Sequence, residues 1–371
     1  MTVINVVWSG GGAYASIHKV HGQILSLIGG GGKIHTWVLQ GKDDGLGDEF
    51  GQVRKWRIPK KLLKGHGLWG LLRRLERARL LRAMQKLEAK VVLLDGLGVA
   101  RLLLPVLRKL PGVRVLVVFH GKVRLRKADV GLLKCLPEER LQLIGVSATL
   151  AESLNKELAR PVMALRTAID PQEFQRALFE REQARNLLGF TRQDCILLGA
   201  VGRLVPEKGY SSLLDAMIAM VGKGCPLHLL IAGEGEQRQV LEEKIQQYGL
   251  AAHVTLAGHR ADVARLYRAF DLMLIPSRSE GLGLVLQEAV MAGVPVVSSN
   301  LPVFVEQLGE AGVYVESGDV GGWVASIEQS LAGDKAALAA RQYRQLAPEQ
   351  AWDEFCRGYR ELLAGMPASA S

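Results

Sequence analysis

The chain is predicted to form two α/β domains, each built on a parallel sheet covered by helices. Short apolar runs alternate with longer amphipathic runs in both halves, which is the pattern of strands joined by crossover helices. A length of 371 residues is comfortable for two cores of ordinary size. The composition, 48% hydrophobic and 23% charged, is that of a globular protein and argues against a disordered one.

The predicted elements follow in chain order. In the first half, strands are expected at 3–8, 34–39, 91–94, 113–119 and 141–146, with a helix over about 14–27. In the second half, strands are expected at 196–201, 227–232, 253–257, 272–275 and 294–298, with helices near 209–222, 236–248, 261–269 and 284–292. The first domain is placed at 1–168 and the second at 169–349, because Pro171 ends the strand-containing part of the first half. Trp352, Phe355, Tyr359 and Leu362 recur at helical spacing and predict a last helix over about 350–366.

Charge is distributed unevenly along the chain, whose net charge is +10. Residues 54–90 contain 13 Lys or Arg against two Glu, whereas the chain from Cys135 onward has 22 basic and 29 acidic residues. This asymmetry predicts that the first half meets a polyanion. An anionic membrane or a phosphorylated glycolipid ranks first and a merely solvated face second. Nucleic acid ranks third, because no nucleic-acid motif is present, and no nucleic-acid partner is expected.

Part of the basic segment is amphipathic. Its apolar and basic residues fall on opposite helical faces, with Leu68, Leu71, Leu72 and Leu75 on one and Arg73, Arg74 and Arg77 on the other. That pattern suits a helix lying on an anionic membrane. No apolar run approaches the roughly 18 to 20 residues that span a bilayer, and the first nine residues lack the basic start of a signal peptide. These features predict a cytoplasmic protein, peripheral on the inner face of the cytoplasmic membrane.

Two carboxylates in the second half, Glu280 and Glu288, have seven residues between them. The strand 272–275 leads through a glycine-rich turn into the helix that carries Glu288. Backbone N–H groups and the positive end of a helix suit a phosphate, so the turn residues Gly281, Leu282, Gly283 and Leu284 are candidate phosphate contacts. Glu288 is expected to reach a ribose beside the phosphates, and Glu280 the sugar hydroxyls beyond them. The junction therefore predicts a nucleotide-sugar site.

A cationic loop follows the strand 196–201. Gly202 permits a close backbone approach, while Arg203 and Lys208 place two cations at the carboxyl end of a strand, where ligands bind in open α/β sheets. Fixed cations there would stabilise a departing diphosphate. Farther along, Glu234 lies in a Gly-Glu-Gly turn after the strand 227–232, and His259 lies in the loop after the strand 253–257.

These four elements in order, G-R-L-x-x-x-K-G, G-E-G, the G-H loop and E-x7-E, resemble glycosyltransferase family four, and especially bacterial lipopolysaccharide core glycosyltransferases. The resemblance implies the GT-B architecture, with two Rossmann-like α/β/α domains facing across a cleft and a last helix crossing back to the first domain. It is weaker in the first half. Gly11 and Gly12 stand where the family has a Gly-rich loop between acceptor and donor. His120 stands where it has a His beside the reacting sugar, and the alternative is a hydrogen-bonded core histidine at a strand end. The resemblance also implies that Glu234 contacts the sugar donor, unless it caps the next helix, and that His259 lies near the nucleobase, unless it is an ordinary exposed loop residue. The chain departs from the family at Asp95, whose role stays open.

The resemblance also implies an activity. A retaining glycosyltransferase would move a sugar from a nucleoside-diphosphate sugar, with UDP favoured, to a glycolipid or a lipopolysaccharide-core oligosaccharide. His120, Glu280, Arg203 and Lys208 would be its catalytic residues. No cofactor and no metal are expected, because the chain lacks the D-x-D that would hold a cation on the diphosphate. Two alternatives stay open, a nucleotide-sugar epimerase of the same fold and a non-catalytic basic interaction protein.

Overall fold

The computed structural model describes residues 1–9, 14–29, 32–41, 51–59, 62, 69–190 and 195–365. The chain divides into two compact units. The first comprises Met1–Thr167 and the terminal segment from Asp353, and the second comprises Ala168–Trp352. Each unit contains one parallel sheet with helices, so the predicted fold class of two α/β domains is confirmed.

The first unit is built on a seven-stranded sheet in the order β3-β2-β1-β4-β5-β6-β7. Its strands are β1 (Thr2–Ser9), β2 (Lys33–Gly41), β3 (Gln52–Lys55), β4 (Val91–Asp95), β5 (Arg114–Phe119), β6 (Leu141–Gly145) and β7 (Met163–Ala164). The central strands β4 and β5 are nearly all Val and Leu because both faces of a parallel sheet are covered. The strand order reverses between β1 and β4, which makes their carboxyl ends a topological switch point.

Helices connect these strands. They are Tyr14–Ser26, Trp69–Lys86, Gly96–Leu107, Lys127–Leu133 and Ala148–Leu158. The helix Gly96–Leu107 is the most apolar of them and is buried along most of its length. Ala148–Leu158 begins after Ser147, whose hydroxyl accepts a hydrogen bond from the Leu150 N–H at 3.2 Å. The helices therefore follow the crossover pattern that the sequence predicts, with β3 an additional edge strand.

The terminal helix Pro348–Ala364 ends in the first unit. Phe355 and Tyr359 are buried on its apolar face, and their ring centroids lie 4.8 Å apart. Arg114, the first residue of β5, donates to the carbonyl oxygens of Leu362 and Leu363 at 2.6 and 2.7 Å. A guanidinium at a helix end pairs with carbonyls that have no partner inside the helix. Arg114 thus secures the last turn of this helix to the first sheet.

The second unit is built on a six-stranded sheet in the order β10-β9-β8-β11-β12-β13. Its strands are β8 (Ile196–Val201), β9 (Leu227–Ala232), β10 (Val254–Gly258), β11 (Leu272–Ile275), β12 (Val296–Ser299) and β13 (Val313–Val315). The reversal of order falls between β8 and β11, so their carboxyl ends form the switch point of this unit.

The helices of the second unit are Pro171–Ala177, Arg181–Leu187, Tyr210–Val221, Arg238–Gln247, Leu284–Met291, Pro302–Leu308, Val320–Ala332 and Lys335–Leu346. The α-helix predicted at 261–269 is wrong. The chain there forms two 3₁₀ turns, Val263–Arg265 and Tyr267–Ala269. Its hydrogen bonds join residues three apart, from Arg265 to Asp262 and from Leu266 to Val263, which is the tighter 3₁₀ pattern.

Candidate functional site

Polar residues of both units lie at the carboxyl ends of strands at or next to each switch point. In the second unit, the loops after β8 and β11 carry Gly202, Lys208 and Glu280. In the first unit, Asp95 ends β4, and His120 follows β5 directly. Ligands of open α/β sheets bind at these positions. Each unit therefore contains a candidate site of its own.

The loop after β8 packs closely on the loop after β11. Gly209 ends the 3₁₀ turn Pro206–Lys208 with φ at 69°, and a Cβ atom there would lie 2.1 Å from the Pro276 carbonyl oxygen. The Arg278 N–H donates to the Glu207 carbonyl oxygen at 2.8 Å, which joins the two loops again. Only glycine permits both this left-handed conformation and this contact. The backbone thus fixes Lys208 beside the end of β11.

Lys208 and Glu280 form an ion pair between these loops. The Glu280 Oε1 atom also accepts a hydrogen bond from the Ser277 hydroxyl at 2.8 Å. The side chains of Lys208 and Glu280 are 18% and 13% exposed, so the pair is only partly open to water. Two predicted catalytic residues that lie 72 positions apart are therefore brought into contact.

Tyr210 lies behind this pair and is buried. Its hydroxyl oxygen would be 2.7 Å from a Cβ atom at Gly202, so any larger residue there would meet it. Burial, and then the charge of Glu280, raise the pKa of Tyr210 well above its ordinary value. The phenol is therefore neutral, and it packs against Gly202 in the loop after β8.

Glu288 lies on the helix Leu284–Met291, which starts after Gly283. Its residue is 9% exposed, and its Oε2 atom accepts a hydrogen bond from the Tyr267 hydroxyl at 2.8 Å. Gln307 holds the turn before this helix, because its side-chain amide donates to the Leu282 carbonyl oxygen at 2.7 Å. The predicted phosphate-binding turn and the predicted ribose carboxylate thus belong to one connected element.

The other predicted donor residues of this unit lie toward solvent. Arg203 and His259 are exposed. Glu234 pairs with Arg238 one helical turn onward, with Oε1 and Nη1 2.7 Å apart. This ion pair lies at the start of the helix Arg238–Gln247, whose N-cap residue is Gln237, so the contact of Glu234 with the donor stays a prediction. Gly11 and Gly12, predicted in the first unit, lie outside the described residues.

In the first unit, His120 belongs to a buried polar chain. Its Nε2 atom lies 3.3 Å from Nε2 of His21, and Nδ1 of His21 lies 2.6 Å from Oδ1 of Asn5. Asn5 in turn donates to the Thr36 hydroxyl at 3.4 Å. This series of polar side chains runs from β2 through β1 and the helix Tyr14–Ser26 to the end of β5.

Asp95 lies at the same place. Its Oδ1 atom is 3.8 Å from Nε2 of His120, and its Oδ2 atom accepts a hydrogen bond from the Trp8 N–H at 3.2 Å. Burial raises the pKa of Asp95 to about 7, although the Trp8 bond acts in the opposite direction. Burial also lowers the pKa of His120 to about 4 and holds the pKa of His21 well below its ordinary range. Both imidazoles are therefore neutral at physiological pH.

His21, Asp95 and His120 each offer a ligand atom within 4.8 Å of the others, a spacing at which a metal ion can be held. Neutral imidazoles and a carboxylate are common ligands of Zn²⁺. The arrangement is thus chemically able to bind either a metal ion or a sugar hydroxyl, and the absence of a metal stays a prediction.

Sequence reasoning missed several of these residues. These residues belong to no motif: Asn5, His21, Tyr210, Ser277 and Tyr267. Ser277 bonds to Glu280 within its own loop, whereas the contacts of the other four arise from tertiary packing. Two histidines one helical turn apart, His18 and His21, follow the glycine run and were the available signal for His21. No signal in the sequence marks Tyr267, which lies 21 positions before its partner Glu288.

The basic segment forms the helix Trp69–Lys86, and its leucines and arginines are placed differently from the prediction. Leu71, Leu72 and Leu75 are exposed by 68%, 48% and 58%, which agrees with an open apolar face. Arg73 and Arg77 are not available to lipid as predicted, because both donate to the Arg101 carbonyl oxygen, at 2.6 and 2.9 Å. Burial lowers the pKa of both, that of Arg77 to about 10. Leu68 lies outside the described residues.

Comparison with known proteins finds similarity to glycosyltransferases. Residues 188–346 match the family described as Glycosyl transferases group 1. The lipopolysaccharide core biosynthesis glycosyltransferase LpsE of Rhizobium meliloti (strain 1021) is 31% identical over 181 residues, 48% of this chain and 52% of that protein. A D-inositol 3-phosphate glycosyltransferase of Segniliparus rotundus is 33% identical over 272 residues, 66% of this chain and 59% of that protein. The matched region thus spans little more than half the length of these curated relatives.

Among solved structures, Anabaena Alr3699/HepE in complex with UDP superposes on 98% of each chain with a TM-score of 0.77 at 17% identity. This likeness shows the fold, which is that of the GT-B glycosyltransferases. The part of the chain that matches the group 1 glycosyl transferases, residues 188–346, lies within the second unit. The predicted resemblance to family-four enzymes of this architecture is confirmed.

Proposed function

We propose that this protein is a retaining glycosyltransferase that moves a sugar from a nucleoside-diphosphate sugar to a glycolipid or a lipopolysaccharide-core oligosaccharide. The observation that carries the proposal is the contact between Lys208 and Glu280 at the switch point of the second sheet, with Glu288 on the next helix. These residues supply the cation and the two carboxylates that a nucleotide sugar requires. The name of the relative LpsE supports a lipopolysaccharide-core acceptor.

The donor is assigned to the second unit. Glu288 binds the ribose, and the backbone of the turn at Gly281–Gly283 faces the diphosphate together with Arg203 and Lys208. When the bond between the anomeric carbon and the diphosphate oxygen breaks, its electron pair stays on the diphosphate. Fixed cations stabilise that developing charge. HepE was solved with UDP and with UDP-glucose, which supports a uridine nucleotide here.

Glu280 is assigned to the transferred sugar. The Lys208 ammonium and the Ser277 hydroxyl both bind its Oε1 atom, so the carboxylate is held in one orientation. A carboxylate held in this way accepts hydrogen bonds from sugar hydroxyls without moving first. Lys208 thus has two tasks, the orientation of Glu280 and the stabilisation of the leaving group.

The acceptor is assigned to the first unit, where His120 and Asp95 end neighbouring strands. His120 is neutral because burial lowers its pKa to about 4, so it exchanges hydrogen bonds with sugar hydroxyls without adding charge. Transfer is proposed to need no metal ion, since Arg203 and Lys208 supply positive charge at the diphosphate. Turnover that survives excess chelator is the result expected from this assignment, and a strict need for a divalent ion would contradict it.

The protein is proposed to work at the cytoplasmic face of a membrane. Among the described residues, none of the helices combines the length and the apolar character that would let it span a bilayer. Leu71, Leu72 and Leu75 form an exposed apolar strip on a helix that also carries Arg74 and Arg82 toward solvent. A strip of this kind inserts shallowly into an anionic surface, which would bring the first unit to a lipid-linked acceptor.

Acceptor-dependent release of nucleoside diphosphate tests the activity. The purified protein is first screened for thermal stabilisation by UDP-, GDP- and ADP-sugars, because a ligand of the native state raises apparent stability. The stabilising donor is then incubated with and without lipopolysaccharide-core acceptor. Release that requires the acceptor supports a transferase. Interconversion of sugars without release identifies an epimerase, and stabilisation by no donor identifies an interaction protein.

A further inference from the structure

In the second unit, apolar packing alone does not explain the environment of Tyr267. It starts the 3₁₀ turn Tyr267–Ala269 just before β11, and its side chain is completely buried. Its ring lies 6.5 Å from that of Phe270 in an edge-to-face arrangement. Phenylalanine would satisfy those apolar contacts equally well. The hydroxyl, however, reaches Glu288 and donates to its Oε2 atom at 2.8 Å.

The hydrogen bond restricts the orientation of a nearly buried carboxylate. Glu288 is 9% exposed and begins the second half of a helix whose neighbouring residues Gln287 and Ala289 are buried. A hydroxyl directed at one oxygen stops the carboxylate from rotating, so the other oxygen keeps a fixed direction. Burial, and then the charge of Glu288, hold the pKa of Tyr267 well above its ordinary value. The phenol is therefore a donor throughout the working pH range.

The two carboxylates of the motif are supported in different ways. Glu280 is held by the positively charged Lys208, whereas the donor to Glu288 from Tyr267 is neutral. A neutral donor orients a carboxylate without cancelling its charge, and hydrogen bonds that hydroxyl groups donate to a charged acceptor are stronger than those to a neutral one. A carboxylate that is oriented in this way can accept hydrogen bonds from two adjacent hydroxyl groups of a ligand.

We propose that Tyr267 is a positioning residue for Glu288, which it holds in the orientation that accepts hydrogen bonds from the vicinal 2′ and 3′ hydroxyls of a ribose. This inference rests on the proposed nucleotide-sugar function and assigns to Tyr267 the preference for a ribonucleotide. Tyr267 itself touches the carboxylate and not the ligand. Its contribution must therefore disappear when the ligand has no ribose hydroxyls.

The test compares pairs of nucleotides that differ only in those hydroxyls. Binding of UDP, ADP and GDP, and of the 2′,3′-dideoxy form of each, is measured by calorimetry on the full chain. In the wild-type protein, the nucleotide that binds tightest is expected to bind about 10-fold or more tightly than its dideoxy form. Tyr267→Phe keeps the ring and is expected to weaken the ribonucleotide about 5- to 10-fold. The dideoxy form should bind equally to both proteins.

A matched control and a double variant separate positioning from structure. Tyr343 of the same unit donates to Glu349 at 2.5 Å, so Tyr343→Phe removes a similar phenol–carboxylate bond elsewhere and should change neither ligand. In Glu288→Gln, addition of Tyr267→Phe should have no further effect, because the two residues act as one. The melting temperature of each variant reports whether its fold is retained.

Each result decides the question. Equal weakening of the ribonucleotide and the dideoxy form by Tyr267→Phe would assign the residue a structural role and overturn the inference. So would a wild-type protein that binds both forms equally, although the proposed donor site would then still stand. If Tyr267→Phe does not fold, the wild-type protein and Glu288→Gln are each measured with the ribonucleotide and with its dideoxy form. The inference is overturned if the effect of the substitution and the effect of losing the ribose hydroxyls are additive, and it is supported if they are not. Failure of the wild-type protein to bind any of the six nucleotides removes the proposed function and this inference together.

Discussion

His21 Nε2 lies 3.3 Å from His120 Nε2 at the buried carboxyl end of the first sheet. The Asn5 side-chain oxygen can only accept, so the His21 Nδ1 atom 2.6 Å away carries a proton and donates. In a neutral ring this leaves Nε2 of His21 as an acceptor, and His120 must therefore donate from its own Nε2 atom. His21 thus holds His120 in the tautomer that carries its proton on Nε2, the atom 3.8 Å from Oδ1 of Asp95, and that leaves Nδ1 as the acceptor.

Asp95→Asn is expected to change how stability depends on pH. The folded pKa of Asp95 is about 7, against an ordinary value near 3.9, so the folded chain binds more protons than the unfolded chain between these values. Stability contributed at this site is therefore present at low pH and is lost as pH rises from about 4 to 7. The variant lacks this ionisable group. Between pH 5 and pH 8, its free energy of unfolding should therefore fall by about 3 kcal/mol less than that of the wild-type protein.

Chemical unfolding of both proteins at pH 5 and pH 8 measures this difference. Asparagine keeps an oxygen that accepts from the Trp8 N–H, so the fold should persist. The low pKa of His120 gives the opposite slope between about 4 and 6.5, but that contribution is present in both proteins and cancels in the comparison. Identical pH dependence in the two proteins would mean that Asp95 is ionised with an ordinary pKa.

Arg203→Ala and Lys208→Ala are each expected to lower kcat by about 100-fold or more, since each removes a cation proposed to stabilise the diphosphate. Lys208→Ala also leaves Glu280 without its charged partner. Lys244→Ala is the matched control, because Lys244 pairs with Asp215 at 2.6 Å on the same unit and is equally sheltered. It should keep near-native turnover. The assignment is falsified if Arg203→Ala and Lys208→Ala turn over as fast as the control.

Gly209→Ala tests the backbone that holds Lys208. An alanine Cβ atom would lie 2.1 Å from the Pro276 carbonyl oxygen, and φ at 69° is already strained for alanine. Gly224 has φ at 74° but no atom within 4 Å of a Cβ, so Gly224→Ala shows the cost of strain alone, about 1 kcal/mol. Gly209→Ala should cost a further ~1–3 kcal/mol because the loops must move apart.

Thermal unfolding and nucleotide binding together check this prediction. Displacement of the loop that carries Lys208 should also weaken donor binding in Gly209→Ala, whereas Gly224→Ala should bind as the wild type does. Equal stability losses in the two variants would show that the contact with Pro276 is not needed.

Periodicity and motifs predicted that Lys208 and Glu280 follow strands of a parallel sheet, whose carboxyl ends lie at one edge. The contact between the two side chains was not predicted, and it depends on the strand order that brings β8 and β11 side by side. Tyr267 and His21 are defined by what they touch after the helices dock. Their spacing along the chain contains no trace of those contacts.

The same limit explains the wrong expectations. A helical wheel placed Arg73 and Arg77 on an open face because it contains no information about the neighbouring helix Gly96–Leu107, whose carbonyl groups both arginines bind. Periodicity also predicted one α-helix at 261–269, where the hydrogen bonds instead close two short 3₁₀ turns. Tertiary contacts decided both cases.

The last prediction concerns attachment to membranes. Leu71, Leu72 and Leu75 are 68%, 48% and 58% exposed. Insertion of each into the membrane would contribute about 1 kcal/mol of apolar burial. Exposed arginine side chains beside them add about 1 kcal/mol each at an anionic surface before screening. Binding to anionic vesicles should therefore be measurable, and it should fall steeply as salt rises, because charges are screened within about 10 Å at 0.1 M.

Three variants separate the contributions in a vesicle sedimentation assay. Changing Leu71, Leu72 and Leu75 to Ser should weaken binding about 10-fold or more at every salt concentration, since apolar insertion is not screened. Arg74→Gln with Arg82→Gln should weaken it mainly at low salt. Leu187→Ser, at a leucine of the second unit that is 44% exposed, is the matched control and should bind as wild type does. Equal partitioning onto neutral and anionic vesicles, or onto neither, would contradict this attachment. The basic half of the chain would then have to meet a phosphorylated acceptor directly.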